Sequence, residues 1–263
     1  MTEALVLRED QGRIAILTLN RPQALNALSD ALMAQLQATL DDLAQDSAIR
    51  VVILRGAGKA FCAGHDLREM QAGRAAPDGG QAYFADLFRR CSTLMLTIRA
   101  MPQPVIAQVH GIATAAGCQL VASCDLAIAA DDTKFGVNGV NIGLFCSTPM
   151  VALTRAVPAK AAFEMLTTGH FITASKAESI GLINRHTEQG DLDRETLEFA
   201  ETIAAKLGAV VRIGKRAFYD QAEIGIEQAY ALTADVMVGN MMRDDTNEGI
   251  TAFLEKRKPD WQS

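Results

Sequence analysis

The sequence lacks the features that direct a chain to a membrane, to secretion or to nucleic acid. No apolar run approaches the roughly 20 residues that a membrane-spanning helix needs. The opening segment, MTEALVLREDQG, has no basic stretch followed by an apolar one. Positive charge is not in excess either, because 25 Lys and Arg stand against 31 Asp and Glu, a net charge of −6. We therefore expect a cytoplasmic protein that binds neither membranes nor nucleic acid.

Histidine and cysteine are also sparse, and neither forms a metal-type motif. The four histidines are scattered without HxxxH or HExxH spacing, and the five cysteines show no CxxC pair. Cysteines of this kind in a reducing compartment are typically buried free thiols. We therefore expect no metal site and no disulfide framework. The cysteines are Cys62, Cys91, Cys118, Cys124 and Cys146.

What the sequence does contain is an alternation of short apolar runs and amphipathic helices. The runs Val51–Leu54, Val105–Val109 and Leu126–Ala130 are typical of buried strands. Ser29 or Asp30 caps a helix whose leucines recur at helical spacing. Strands that alternate with helices predict an α/β fold. From about residue 191 onward the pattern is helical throughout, which predicts a separate C-terminal region.

The chain is organised around the stretch HGIATAAGCQLVASCD, from His110 to Asp125. It predicts a strand, a tight turn of small residues and a helix that begins near Ala116–Gly117. Backbone N–H groups at such a helix start point outward and can hold an oxygen that carries negative charge. Gln119 lies one turn into this helix, beside the predicted oxygen site.

Six stretches, taken in order, resemble motifs of the enoyl-CoA hydratase/isomerase (crotonase) family. One such motif is weak support, but six along nearly the whole chain are specific. They are NRPQALNAL (Asn20–Leu28), KAFCAGHDL (Lys59–Leu67), HGIATAAGCQL (His110–Leu120), SCDLAIA (Ser123–Ala129), TTGHFITASKAESIGLIN (Thr167–Asn184) and GITAFLEKRKP (Gly249–Pro259).

The resemblance implies a crotonase-type spiral of ββα units over residues 1–190. It implies a helical trimerisation region over residues 191–263, so that the chain forms homotrimers or dimers of trimers. The implied partner is an acyl-CoA thioester. Coenzyme A enters as part of the substrate, and no other cofactor is expected.

The resemblance also implies which residues form the site. In the family, two backbone N–H groups hold the thioester oxygen as it becomes an enolate oxygen, and these fall on His65 and Ala116. From the residues alone, Arg21 and Lys59 fit solvated surface charges as well, and Asp66 fits a helix cap. The residues that match positions around the substrate are Arg21, Ala24, Lys59, Ala63, Asp66, Leu67, Gly117, Asn141, Phe253 and Lys256.

The chain departs from the family pattern where the chemistry needs acids. Hydratases of the family use two glutamates to move protons, and these positions hold Gln119 and Gly139 here. A carboxamide cannot accept a proton at neutral pH, and glycine has no side chain. Because each such group typically supplies ~10²–10⁴ in rate, we expect weak hydration. A proton-transfer role for the His65 side chain is a further hypothesis, whereas Cys146 fits a buried thiol.

Three functions therefore stay open at this point. The first is hydration or isomerisation of enoyl-CoA at a low rate. The second is another acyl-CoA reaction that needs the oxygen site alone, such as decarboxylation or thioester hydrolysis. The third is non-catalytic binding of acyl-CoA.

Overall fold

The computed structural model describes residues 4–261 and has two sheets surrounded by helices. A six-stranded sheet has the strand order β1-β2-β3-β4-β6-β9, and a three-stranded sheet has the order β5-β7-β8. The strands are β1 (Val6–Gln11), β2 (Ile14–Leu19), β3 (Val51–Gly56), β4 (Val105–Val109), β5 (Ile112–Thr114), β6 (Leu126–Ala130), β7 (Lys134–Gly136), β8 (Ile172–Thr173) and β9 (Arg185–Thr187). The helices are α1 (Asp30–Gln45), α2 (Leu67–Gly73), α3 (Gln81–Ala100), α4 (Ala116–Ser123), α5 (Ser147–Ala156), α6 (Ala159–Thr168), α7 (Ala174–Ser179), α8 (Leu192–Ala204), α9 (Gly208–Ala222), α10 (Ile226–Met241) and α11 (Asp244–Leu254).

The larger sheet begins with the hairpin that the sequence predicts. β1 and β2 are antiparallel, and Gly12 between them has φ +61°, a conformation that glycine adopts without strain. The remaining neighbours, from β2 to β9, are parallel. Parallel strands need helical crossovers, which explains why strands and helices alternate along the chain.

One face of this sheet packs against α1, α3 and α4 to form the main core. In α1 the side chains of Leu32, Leu36 and Leu40 are fully buried, as their helical spacing predicts. The hydroxyl of Ser29 accepts the N–H of Leu32 at 3.2 Å and caps the helix start, which confirms the predicted cap. Burying each leucine stabilises the fold by about 1.5–3 kcal/mol.

The other face of the sheet is covered by α8. Ala200 and Ala204 of this helix pack against Ile14, Val51 and Ile106 of three neighbouring strands. Thus α8 packs on the sheet formed by residues before 191, although it falls within the separate helical region predicted from residue 191 onward. That boundary stays a prediction.

The Asp125 carboxylate connects α9, in the C-terminal region, to the sheet. The carboxylate of Asp125, just before β6, accepts the Val105 N–H at 2.7 Å, the Lys215 ammonium at 2.8 Å and the Tyr219 hydroxyl at 2.7 Å. Lys215 and Tyr219 lie on α9, which packs against α10. Burial lowers the pKa of Lys215, and its attraction to Asp125 opposes that shift.

Two features are absent from the part of the chain that the structure describes. None of its helices is both long and apolar enough to span a bilayer. It also contains no group of three His, Cys, Asp or Glu residues placed to hold a metal ion.

Candidate active site

The site is built where the loop after β3 meets the turn before α4. Cys62 donates its N–H to the Ile112 carbonyl at 3.1 Å, and its own carbonyl accepts the Thr114 N–H at 3.0 Å. A Cβ atom at Gly117 would overlap the Cys62 carbonyl, so the start of α4 rests directly on the loop. The predicted strand, turn and helix of the central motif are confirmed.

Gly64 brings two backbone amides together. It adopts φ +91°, and a Cβ there would lie 3.3 Å from the Ala116 nitrogen and 3.1 Å from the Thr114 oxygen. The next amide along the loop is that of His65. Within residues 4–261, neither the His65 N–H nor the Ala116 N–H donates a hydrogen bond. Ala116 is the first residue of α4, where helix geometry leaves N–H groups without an intrahelical acceptor. Two adjacent free donors can bind one oxygen that carries negative charge.

The turn that leads into α4 is strained. Ala115 has φ +49° and ψ −118°, and its N–H donates to the Gly136 carbonyl at 2.9 Å. Such a conformation costs a residue with a Cβ about 1–3 kcal/mol. The sequence predicts a tight turn of small residues here but does not reveal the strain.

Gln119 lies one turn into α4 and is 4% exposed. Its side-chain oxygen is 4.0 Å from the Cys91 sulfur on α3, a weak contact. A cavity of about 950 Å³ opens beside Gln119 between α3, α4, α5 and α9, with Met95 and Phe218 among its lining residues. No pattern in the sequence indicates that α9 borders the space next to Gln119.

Gly139 lies in a short 3-10 turn, Asn138–Ile142, within a segment that the sequence predicts to be strand edge and loop. A Cβ at Gly139 would overlap the Leu144 carbonyl and lie 2.8 Å from the Cys146 sulfur. The chain therefore fills the space that a side chain at Gly139 would need. Burial raises the pKa of the Cys146 thiol, which opposes formation of a nucleophilic thiolate.

His65 is half-buried, and its ring nitrogens face the interior. Both ring nitrogens are buried without a hydrogen-bond partner among the described residues. The ring meets Phe88 of α3 edge-on, with centroids 5.8 Å apart. Burial lowers the pKa of His65 to about 4, against the smaller opposing effect of the Leu28 backbone, so the imidazole is neutral at pH 7.

Comparisons with known proteins show which family the chain belongs to. Residues 9–263 match the family model described as enoyl-CoA hydratase/isomerase. The chain belongs to the enoyl-CoA hydratase/isomerase family. It is similar to human enoyl-CoA hydratase domain-containing protein 3, mitochondrial, with 46% identity over 93% of this chain and 79% of that protein.

Solved structures of the family share its fold. A crystal structure of an enoyl-CoA hydratase from Mycobacterium smegmatis is 53% identical, with a TM-score of 0.95 over 99% of this chain and 100% of that one. The crystal structure of the human domain-containing protein 3 is 44% identical, with a TM-score of 0.91 over 98% of this chain and 100% of that one. These likenesses confirm the predicted crotonase-type α/β fold and the predicted family resemblance.

Among the other residues that the family motifs single out, Arg21 and Asp66 bind each other. The Arg21 guanidinium lies 2.8 Å from the Asp66 carboxylate and also donates to the Ala27 carbonyl at 2.9 Å. Asp66 caps α2 by accepting the N–H groups of Arg68 and Glu69. Burial acts to raise the pKa of Asp66, but hydrogen bonds from Arg21 and from the α2 backbone outweigh it and lower that pKa. In this arrangement both side chains support the loop that carries His65.

Other motif residues lie around that loop. Lys59 and Leu67 are exposed, whereas Ala24 and Ala63 are half-buried, with the Ala63 N–H donating to the Leu25 carbonyl at 3.0 Å. These four predicted contacts remain predictions.

The remaining predicted contacts lie further along the chain. The Asn141 amide donates to the Gly169 carbonyl at 3.3 Å, so it holds the 3-10 turn against the end of α6. Phe253 on α11 is 82% exposed, and Lys256 just beyond it is also exposed. All five cysteines are buried free thiols, as predicted.

Proposed function

We propose that this chain binds acyl-CoA thioesters, with the thioester oxygen held by the N–H groups of His65 and Ala116. The observation that carries the proposal is the pair of free amides that Gly64 brings together. Prealigned donors act on charge that develops in the reaction, and removing one such donor typically costs ~10²–10³ in rate. Membership of the family supports the same ligand class.

Hydration of enoyl-CoA by this site is proposed to be slow. Adding water across the double bond requires one group that takes a proton from water and one that delivers a proton to Cα. Gln119 cannot accept a proton at neutral pH, and the surroundings of Gly139 leave no room for an acid. Reactions that generate an enolate without a base, such as loss of carbon dioxide from a malonyl-type thioester, need only the two amides. Thioester hydrolysis and binding without turnover would likewise need neither carboxylate at these two positions.

A comparison of two ligands tests the binding proposal. Butyryl-CoA carries the thioester carbonyl, and S-butyl-CoA is the matched ligand that lacks it. By calorimetry, butyryl-CoA is expected to bind about 10-fold more tightly, since each of the two hydrogen bonds to the neutral carbonyl oxygen contributes about 0.5–1.5 kcal/mol. Equal affinities would show that the amides do not hold the carbonyl.

Product assays then separate the reactions. Crotonyl-CoA, malonyl-CoA and methylmalonyl-CoA are incubated with the protein, and hydration, carbon dioxide release and free CoA are measured. Hydration at the rate of ordinary family hydratases would overturn the slow-hydration proposal. Carbon dioxide release would identify a decarboxylase, and free CoA release would identify a thioesterase.

We also propose that the chain forms homotrimers or dimers of trimers through its C-terminal helices. α10 has no buried residue, and four of its large apolar side chains are at least 61% exposed: Ile226, Tyr230, Met237 and Val238. Apolar side chains exposed in this number on one helix favour an interface. Analytical ultracentrifugation tests the assembly state, and a monomer would contradict the proposal.

A cytoplasmic location remains a proposal as well. The names of the human and mouse relatives place those proteins in mitochondria. Fractionation of source cells followed by immunodetection tests the location.

A further inference from the structure

The residue that supplies one of the two amides, His65, also carries an ionisable side chain. His65 is half-buried, but both of its ring nitrogens are buried, and within residues 4–261 neither makes a hydrogen bond of good geometry, although the Leu28 backbone favours the protonated ring. An unpaired buried donor or acceptor costs about 1–3 kcal/mol. Native proteins keep few such groups, and those that persist have specific explanations that include catalysis.

The position of the ring fits a role toward the acyl group. The imidazole and one of the two free amides belong to the same residue. A role toward the acyl group accordingly requires that the Cα of a thioester whose oxygen is held by that amide lie close to the ring. Phe88 packs against the ring, and Phe84 stacks on Phe88 with centroids 6.5 Å apart, so the surroundings are apolar and suit an acyl chain.

We propose that the His65 imidazole accepts the α-proton of a bound acyl-CoA thioester, in place of the absent carboxylates. This inference rests on the acyl-CoA binding proposed above. In the step, the C–H bond at Cα breaks, and the proton moves to a ring nitrogen. The electron pair moves to the thioester oxygen, where the amides of His65 and Ala116 stabilise the enolate. Reversal returns a proton to Cα, and in D₂O it returns a deuteron once the imidazolium has exchanged with solvent.

The basicity of the buried ring suits this step. Its pKa of about 4 is close to the ordinary glutamate value of about 4.3. The neutral imidazole is therefore unprotonated at pH 7 and has a nitrogen lone pair that can accept a proton. The charged groups that face it are Asp30 on α1 and Arg90 on α3. These bind each other at 2.8 Å, so their effects on the ring oppose each other.

The helix that follows His65 buries little of its surface. α2 begins two residues after His65 and has no buried residue. Elements with little burial open at low free energy. α2 is therefore the element expected to move when an acyl group enters.

Exchange of the α-protons of butyryl-CoA in D₂O, followed by NMR or mass spectrometry, tests the inference. Butyryl-CoA has no double bond to hydrate and no carboxylate to lose. The wild type is expected to exchange its α-protons faster than buffer alone. His65→Gln keeps the amide N–H but cannot accept a proton, so exchange is expected to fall about 10²-fold or more while binding is retained. His170→Gln, the same change at an exposed histidine, is the matched control and is expected to match the wild type.

Two further measurements separate a base from a structural role. Exchange by the wild type is expected to stay level from about pH 8 to 5 and to fall only as the pH approaches 4, whereas an ordinary histidine loses half its activity near 6.5. Free imidazole is expected to restore exchange to His65→Ala. If His65→Gln exchanges at the wild-type rate, or if the wild type binds butyryl-CoA without exchange, the inference is overturned. If butyryl-CoA does not bind at all, the proposed function itself fails, and calorimetry distinguishes this case.

Discussion

Replacing Gln119 by Glu is the most direct test of why this site should hydrate slowly. The two side chains have nearly the same shape, so the change alters chemistry more than packing. Gln119 is 4% exposed, and its oxygen makes only the weak contact with Cys91. A carboxylate there would lie one helical turn from the Ala116 amide, at the position where the family resemblance implies an acid.

The expected gain is about 10²-fold in the rate of crotonyl-CoA hydration. A single acid–base group supplies ~10²–10⁴. The lower end applies here, because burial favours the protonated form of a carboxyl group and because no second acid is restored at Gly139. The same burial is expected to lower the free energy of unfolding by about 1–3 kcal/mol.

The assay follows the loss of the ultraviolet absorbance of the enoyl thioester. Gln119→Leu is the matched control, since it removes the carboxamide without adding an acid, and it is expected to stay at or below the wild-type rate. The reasoning would be refuted if Gln119→Glu folded and bound crotonyl-CoA yet gained no activity. It would equally be refuted if the wild type already hydrated as fast as family enzymes that have both acids.

Three further predictions concern stability, measured as the free energy of unfolding in urea. The pKa of His65 is 6.5 in the unfolded chain and about 4 in the folded chain, so as the pH falls the unfolded chain binds a proton first. The free energy of unfolding is therefore expected to decrease by up to about 3 kcal/mol between pH 6.5 and pH 4. His65→Gln should remove that part of the pH dependence, and an unchanged profile would contradict the burial of the ring nitrogens. Ala115→Gly should stabilise the fold by about 1 kcal/mol, because relief of φ +49° exceeds the added freedom of the unfolded chain, and a loss of stability would show that the turn is not strained. Lys215→Met should destabilise by about 3 kcal/mol, because it leaves the Asp125 carboxylate without its cation, whereas Arg216→Met on the exposed face of α9 should change little.

Local sequence patterns predict much of this structure because local physics decides those parts. The β1–β2 hairpin, the Ser29 cap and the helix start at Ala116 each depend on residues within a few positions of one another. Alternating or helical spacing of apolar residues also predicts which face of α1 is buried. Such features follow from turn chemistry, capping and periodicity alone.

Other features depend on residues that are distant in sequence, so no local pattern signals them. The buried pair of Asp125 and Lys215 joins positions 90 residues apart. The packing of α8 on the sheet is another case, because a helical pattern does not reveal which surface the helix will cover. The enclosure of His65 depends on Phe88 and on the approach of α3. A histidine in a glycine-containing loop otherwise suggests an exposed ring, and only the fold shows that it is neutral.

The two missing acids differ physically, although the sequence presents them as equal losses. Gln119 has a side chain of the same length as glutamate, one helical turn after Ala116, so the difference there is one of charge and proton affinity. At Gly139 the backbone has closed on the position, because the Leu144 carbonyl and the Cys146 sulfur occupy the space that a side chain needs. An acid at Gly139 would have to displace the segment up to Cys146, which Asn138 anchors through its 2.6 Å hydrogen bond from Thr114. The position of Gly139 therefore has no space for a side chain, whereas the position of Gln119 lacks only the charge of a carboxylate. Because Gln119 cannot accept a proton at neutral pH, the proposed proton transfer beside the two amides falls to His65.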